Sequence, residues 1–362
     1  MTTAHTSTVL CVDCRENTSD LQIRNRWLCN ECFQRYVSSK VSKRMESYRF
    51  GNLAVNETRR LLLPLSGGVS SMVLLQVLDG ELHKQALKRN RTAYELIICN
   101  VILPDEHDST IRNDLYVQAG ERFPGHKFIP PMAFEDLFKY DDRIESDLLH
   151  LGVGRPEGES DGNFLKGILS STTSATAHED LQSILLRRLI VSVAKAHDCE
   201  GILWGHSDSR LASMALSHVS KGRGGSVPSL TADGPSCHGI NFNYPVRDLF
   251  KPELATYASV LSEPLVSLEG HDTSARRVTP SLRNTAIDTL LTNYINSQGE
   301  KYPSIMANVV RTAGKLDRTA NGQSQLCLVC SEPSSIINGE AADNLLCYGC
   351  LRMKQDIKFQ SM

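Results

Sequence analysis

The sequence is short of several things, and each shortage narrows what the chain can be. No apolar run reaches the roughly 20 residues a helix needs to cross a bilayer, so no spanning segment is expected. The opening residues, MTTAHTSTVLCVDC, carry neither a basic n-region nor a long apolar core, so no secretory leader is expected. The formal net charge is only −2, so no whole-molecule field draws the chain to a polyanion. Hydrophobic content of 41% and charged content of 22% are those of an ordinary globular protein. A length of 362 residues suffices for one large domain or two ordinary ones with small appendages.

The charge that is present is uneven. Residues 1–60 hold ten Lys and Arg against six Asp and Glu, and the remainder is mildly acidic. A basic arm on an acidic body is a candidate polyanion-binding surface. It is equally the pattern of an ordinary solvated helix face.

Cysteine, by contrast, is plentiful. Of the eleven, eight form four C-x-x-C pairs: Cys11/Cys14 and Cys29/Cys32 near the start, Cys327/Cys330 and Cys347/Cys350 near the end. Two residues between cysteines let a tight turn aim both sulfurs at one ion, and two such pairs complete a four-thiolate shell. The regular pairing favours two zinc sites over disulfides or scattered core thiols. With no leader, it also favours a reducing compartment, and a cytoplasmic location is expected. Cys99 and Cys199 read as packing residues. Cys237, in a glycine-rich stretch, is the one free thiol worth testing for reactivity.

Between these ends the chain alternates strand-like and helix-like segments. Residues 60–65 form an apolar strand, Ser66-Gly67-Gly68-Val69-Ser70-Ser71 a glycine turn, and residues 72–78 a buried helix start. Residues 94–103 and 126–129 are strand-like, 109–121 helical, 178–197 a strong amphipathic helix, and 201–205 another strand before a helix from Asp208 to His218. Such alternation predicts an α/β fold, a doubly wound parallel sheet with helices on both faces, flanked by small cysteine-rich zinc modules at both termini. The expected divisions are a zinc module and helix over 8–50, an α/β domain over 58–268, and a helical segment with the second zinc module over 269–362. Residues 139–176, rich in Asp, Glu, Gly, Ser and Thr, read as a mobile insertion. Residues 220–237 read as flexible. The two cysteine-rich ends resemble one another, and they could pack together.

A strand, a glycine turn and a helix make an anion-binding nest of backbone N–H groups. This turn is no Walker loop, since G-x-x-x-x-G-K-[ST] is missing. LSGGVSS does resemble a degenerate S-G-G-x-D-S pyrophosphate loop of the ATP-pyrophosphatase (PP-loop, adenine nucleotide alpha-hydrolase) enzymes. Leu186-Arg187-Arg188 in a long helix, and Gly205-His206-Ser207-Asp208-Ser209-Arg210-Leu211-Ala212 beside the G-H-x-x-D-D-x-A stretch of tRNA thiolases, extend the likeness. Lys221-Gly222-Arg223-Gly224 and Tyr244-Pro245-Val246-Arg247-Asp248 match in kind. With the flanking cysteine pairs, the whole chain resembles the cytoplasmic tRNA 2-thiolation protein 2 family.

That resemblance implies an accessory subunit for 2-thiolation of wobble uridine in lysine, glutamate and glutamine tRNAs. The implied partners are a catalytic thiolase paralogue in a heterodimer, tRNA, and a thiocarboxylated ubiquitin-like sulfur carrier, Urm1. Active members carry Lys and Asp where Val69 and Ser70 stand here. Related members hold an iron–sulfur cluster on three cysteines, two of which align with Asp180 and Ser183. Hence no catalytic residue and no cluster are expected, and ATP binding at Ser66, Gly67, Gly68, Ser70 and Ser71 is vestigial at most. Two other functions compete: a self-sufficient ATP-dependent tRNA sulfurtransferase, and a zinc scaffold suggested by the cysteine pairs alone.

Four cations are candidates for RNA contact. Arg187 and Arg188 lie in an otherwise apolar helix, and Lys221 and Arg223 flank glycines in what reads as an exposed loop. Each has an ordinary alternative, an ion pair or a solvated loop. His206 is either a site residue or a histidine capping the next helix. Asp208 reads as the N-cap of that helix, and Trp27 as core of the first zinc module rather than a base-stacking platform.

Overall fold

The structure, a computed structural model, describes residues 9–52, 57–104, 109–267, 285–316, 325–333 and 346–359. The chain opens with a hairpin, β1 (Leu21–Ile23) and β2 (Arg26–Leu28), turned at Arg24 with φ of 56°. α1 (Asn30–Arg44) buries Phe33, Val37 and Val41, a stripe at helical spacing. β3 (Arg59–Pro64) leads through the glycine turn into α2 (Val69–Arg89), which ends at a left-handed Asn90.

β4 (Tyr94–Cys99), β5 (Val101–Ile102), α3 (Ser109–Arg122), β6 (Lys127–Phe128) and β7 (Met132–Ala133) follow. Then come α4 (Leu137–Tyr140), α5 (Ile144–Leu149), α6 (Asp161–Ser170) and the long α7 (Ala175–Ala196). β8 (Gly201–Leu203), α8 (Asp208–Ser220), α9 (Val227–Thr231), β9 (Gly234–Pro235), β10 (Asn241–Asn243) and α10 (Lys251–Ser259) complete the body. α11 (Ile287–Lys301), α12 (Pro303–Lys315) and α13 (Tyr348–Gln355) close the chain.

The main sheet has six strands in the order β6-β4-β3-β8-β10-β9, and every pairing is parallel except that of the edge strand β9. The chain moves outward from β3 to β6, then returns to lay β8 on the other side of β3. The order therefore reverses between β3 and β8, and the loops after these two strands lie side by side at the carboxyl ends, where such sheets place their ligands. In the ladder Leu62 stands opposite Ile97 on one side and Ile202 on the other.

Strand side chains alternate between the two faces, and the apolar core is divided accordingly. Leu62, Ile97, Ile202 and Phe242 pack with α6, α7 and the late cysteines Cys327, Cys330, Cys347 and Cys350. Leu61, Leu63, Leu96, Ile98 and Leu203 pack with α1, α2, α10 and the early cysteines Cys11, Cys29 and Cys32. The two cysteine-rich ends thus sit on opposite faces of the sheet and do not pack together.

Three expectations need correction. Residues 139–176 are built structure: α4, α5 and α6 bury Leu137, Ile144, Leu148, Phe164 and Ile168 against α7. Residues 220–237 are likewise ordered around α9, with Val227, Pro228 and Leu230 buried. Asp208 is the first residue of α8 and Ser207 its N-cap. Of the polar, basic stretch 269–285 and the polar linker 52–58 that the sequence shows, residues 269–284 and 53–56 lie outside the described residues. No described helix is long and apolar enough to cross a membrane.

Candidate functional site

The two cysteine groups are built alike. In each, the four sulfurs lie within 4.8 Å of one another. A tetrahedral thiolate site with metal–sulfur bonds near 2.3 Å sets its sulfurs about 3.8 Å apart. Cys14 and Cys29 are 3.9 Å apart at the sulfurs, and Cys330 and Cys347 are 3.6 Å apart. All eleven cysteines are free thiols. Both groups therefore fit a metal ion, and four thiolates suit zinc or iron.

The local geometry shows why the spacing works. In the first knuckle the Arg15 N–H donates to the Cys11 carbonyl, and Arg15 adopts φ of 60°. In the third, the Ser331 N–H donates to the Cys327 carbonyl, and Ser331 adopts φ of 56°. The later pairs each open a helix: Cys29 caps α1 and Cys347 caps α13. A helix N-terminus favours thiolate over thiol.

Their settings differ. The early group is peripheral: Cys14 is half-buried, and Asn17 Nδ2 lies 3.9 Å from the Cys29 sulfur. It docks through Arg24 on Glu253 at 2.8 Å and Arg44 on Asp248 at 2.7 Å. Trp27, expected in the module's core, is 39% exposed. The late group is fully buried, with a guanidinium inside the protein against its sulfurs. Arg223 Nη1 donates to Cys347 Sγ at 3.1 Å and to Cys350 Sγ at 3.2 Å, while Nη2 donates to Asp180 at 2.6 Å. Lys221 joins Asp180 at 2.9 Å and reaches Asp288 on α11 at 2.9 Å. Burial alone would raise the Asp180 carboxyl, but Arg223 and Lys221 hold it down at about 2.

The four candidate RNA-contact cations are all engaged in the interior. Arg188 is buried, donating to Asp141 and Asp147 at 2.7 Å each and to the Leu328 and Val329 carbonyls of the third knuckle. Arg187 pairs with the buried Glu332 beside Cys330. Lys221 and Arg223 are buried rather than in an exposed loop. As placed, these side chains join the late cysteine module to α7 and α8. Sequence reading missed their partners Asp141, Asp147, Asp288 and Glu332. The one available signal was the spacing of Ile144, Leu148 and Leu151, which is helical and so argues against a loop.

At the switch point the glycine turn keeps its shape. Gly67 has φ of 77°, Gly68 caps α2, and the N–H groups of Ser71 and Met72 both donate to the Gly68 carbonyl at 3.1 Å. Ser66 and Ser71 approach at 3.3 Å between hydroxyls, and Arg112 donates to the Ser66 carbonyl at 3.3 Å. Val69 is 2% exposed and belongs to the core, so that position offers no charge. A Cβ on Gly205, in the neighbouring loop, would stand 2.8 Å from Ser71 Cα. The two loops are thus in direct backbone contact. Where the thiolase stretch has paired acids, this chain has Ser209 and Arg210.

Asp208 is buried beside this contact. Its carboxyl takes Ser209 N–H at 2.6 Å, and burial pushes it up to about 7. His206 stacks between Trp204 and Tyr244, and burial pushes it down to about 3. Cys237 is half-buried and its thiol is pushed up to about 11 by burial, which suppresses reactivity.

Comparison with known proteins gives a consistent result. A family model described as cytoplasmic tRNA 2-thiolation protein 2 matches residues 286–343. A protein of that name from Coccidioides immitis is 37% identical over 369 residues, covering 96% of this chain and 98% of its own length. One from Ajellomyces capsulatus is 40% identical over 349 residues, covering 89% and 95%. Among solved structures, the U34-tRNA thiolase NcsA from Methanococcus maripaludis, with its 4Fe-4S cluster, is similar in fold. It has a TM-score of 0.60 at 17% identity, covering 91% of this chain and 94% of that one.

Proposed function

The chain belongs to the cytoplasmic tRNA 2-thiolation protein 2 family, and from that premise we propose that it serves 2-thiolation of wobble uridine in tRNA as an accessory, non-catalytic subunit. A catalytic thiolase paralogue in a heterodimer would carry the chemistry, with sulfur supplied through a thiocarboxylated ubiquitin-like carrier. The observation that carries this reading is the state of the switch point. The turn that would cradle a nucleotide's phosphates has a core valine at position 69 and a serine at position 70. Neither residue can neutralise phosphate charge or hold magnesium. Ser209 and Arg210 replace an acidic pair in the facing loop, and Asp180 and Ser183 stand at the two aligned cluster positions. An aspartate already shared between Arg223 and Lys221 makes a poor cluster ligand.

The metal at both cysteine groups is, on this reading, zinc in a structural role. Closed four-thiolate shells leave no open position for substrate. Their work is to hold α1 and α13 against the sheet.

The test is reconstitution. Purified chain with ATP, tRNA and a sulfur donor should form no thiouridine, and adding the paralogue should restore it. The chain should also copurify with that paralogue in equal amount. Thiouridine formed by the chain alone would establish the self-sufficient enzyme instead.

A further inference from the structure

A cavity of about 530 Å³ opens at the start of α8, where three parts of the chain meet. The early module's hairpin supplies Ile23 and Arg24, the first turn of α10 supplies Phe250, Pro252 and Glu253, and α12 supplies Met306. Asp208, the first residue of α8, lies in the wall and is 1% exposed. Its Oδ1 accepts from the Ser209 N–H and hydroxyl. Its Oδ2 is buried and has no partner among the described residues. A carboxyl oxygen left bare inside a protein costs stability until a donor reaches it.

The charges around Asp208 are short of one cation. Arg24 is committed: it donates to the two oxygens of Glu253 at 2.8 and 3.1 Å and to the Asp248 carbonyl at 3.0 Å, and it lies over the Phe250 ring at 4.0 Å. Lys251 is exposed at the rim and is engaged elsewhere. Arg26 pairs with Asp13 and Arg44 with Asp248, while Arg210 lines a different cavity, towards Asp288 and Glu179. α11 and α12 add no charged side chain to the lining. Four thiolates around a divalent ion leave a net negative charge, so the early cysteine group does not supply the cation either. Asp208 and Glu253 therefore share one guanidinium in the interior. The balance is visible at Asp208 itself: burial raises its carboxyl, the Ser209 bonds lower it, and Glu253 raises it more than Arg24 lowers it.

We propose that this cavity binds an organic cation, an alkylammonium or alkylguanidinium, with its charged nitrogen on Asp208 Oδ2 and its methylene stem along Ile23, Phe250, Pro252 and Met306. An apolar stem packed on apolar walls, with the head on a carboxylate, is how basic side chains are accommodated inside proteins. An anion would meet two carboxylates, and a bare inorganic cation gains nothing from the apolar walls. The same head and stem are offered by a free amine such as agmatine or by an arginine or lysine side chain of another polypeptide.

Calorimetric titration of the full metal-loaded chain tests this, with agmatine, n-butylammonium, ammonium and n-butanol as probes. Agmatine and n-butylammonium should bind saturably at millimolar concentration or below. n-Butanol has the stem without the charge, ammonium the charge without the stem, and each should bind at least about 10-fold more weakly than n-butylammonium. Asp208→Asn should weaken agmatine at least about 10-fold and leave n-butanol within about threefold. Ala255→Phe, at the exposed mouth, should weaken both organic cations. Because Asp208 must ionise to hold the cation, agmatine binding should release a proton at about pH 6 and almost none at about pH 8, read from the heats in buffers of different ionisation enthalpy. Metal content and thermal unfolding confirm that each variant is folded. A blocked Ala-Arg-Ala peptide binding more tightly than agmatine assigns the site to a polypeptide's side chain, and the peptide failing to bind assigns it to a free amine. Absence of saturable binding of either organic cation, equal binding of n-butanol, agmatine affinity unchanged in a folded Asp208→Asn or Ala255→Phe chain, or a high-resolution structure in agmatine with only water at Asp208 would overturn the proposal.

Discussion

The two cysteine modules share a knuckle, a left-handed residue after the second cysteine and a helix capped by the third, yet the protein treats them differently. The early one rests on the surface, its sulfurs approached by Asn17, its hairpin tied to Glu253 by Arg24 and its helix to Asp248 by Arg44. The late one sits inside, and the body supplies its charge compensation through Arg223, Arg187 and Arg188. Equal ligand chemistry therefore need not mean equal structural weight. Weight follows from how many buried charges depend on the site being formed.

Substituting one ligand in each module puts that contrast to its hardest test. Cys347→Ser should lose one metal per chain and cost about 4 kcal/mol, since Arg223 and Asp180 then lose their setting. Cys14→Ser should also lose one metal but cost about 2 kcal/mol, its site being half open to water. Native mass spectrometry and thermal unfolding read both, and equal losses would erase the distinction.

Neighbours of the sulfurs give the next largest effect. Arg223→Met should cost about 3 kcal/mol, because it leaves Asp180 with Lys221 alone and removes the donor to the Cys347 and Cys350 sulfurs, whereas Asn17→Ala should cost under about 1 kcal/mol. Urea unfolding midpoints at neutral pH decide it.

Acid sharpens the contrast differently. Asp180 and Glu332 titrate at about 2 in the fold, below their unfolded values near 4, so their stabilising contribution is lost as pH falls towards 2. His218, held down at about 4 by burial against about 6.5 unfolded, makes the fold lose stability as pH falls through that interval. Both groups lie around the late module, and between pH 7 and 5 the His218 trend alone acts. Amide exchange at pH 5 against pH 7 should therefore show α7, α8 and α13 losing protection before α1, and uniform loss would contradict it.

The smallest effects concern the switch point. Gly67→Ala should cost about 1 kcal/mol because φ of 77° is unfavourable for a side chain. Ser70→Ala should leave both melting temperature and thiouridine formation in the reconstituted complex unchanged. A large activity loss with Ser70→Ala would indicate a working loop.

How far the residues alone disclosed these features depended on range. The metal groups, β3, β4, α7 and the glycine turn follow from short-range spacing, and all are legible in the sequence. The interior of the late module is not. Arg188 finds Asp141 and Asp147 some forty positions earlier, and Glu332 lies far downstream of its partner Arg187. Pairing over such distances leaves no local pattern. Composition then misleads twice, because acids that serve as buried acceptors read as a loop and cations that serve as buried donors read as an RNA surface. Trp27 failed for the opposite reason: a small module has too little interior to hide an indole.

The position of the last cysteines also sets an order of events in the cell. Because Cys347 and Cys350 lie against Arg223 and α7, residues synthesised more than a hundred positions later complete an interior begun by α7 and Arg223. Until those cysteines emerge, the arginines and carboxylates of that half remain without their sulfur neighbours. The growing chain is then vulnerable to misassembly or proteolysis, and loss of these cysteines or a metal shortage would be felt first as a loss of protein rather than of chemistry.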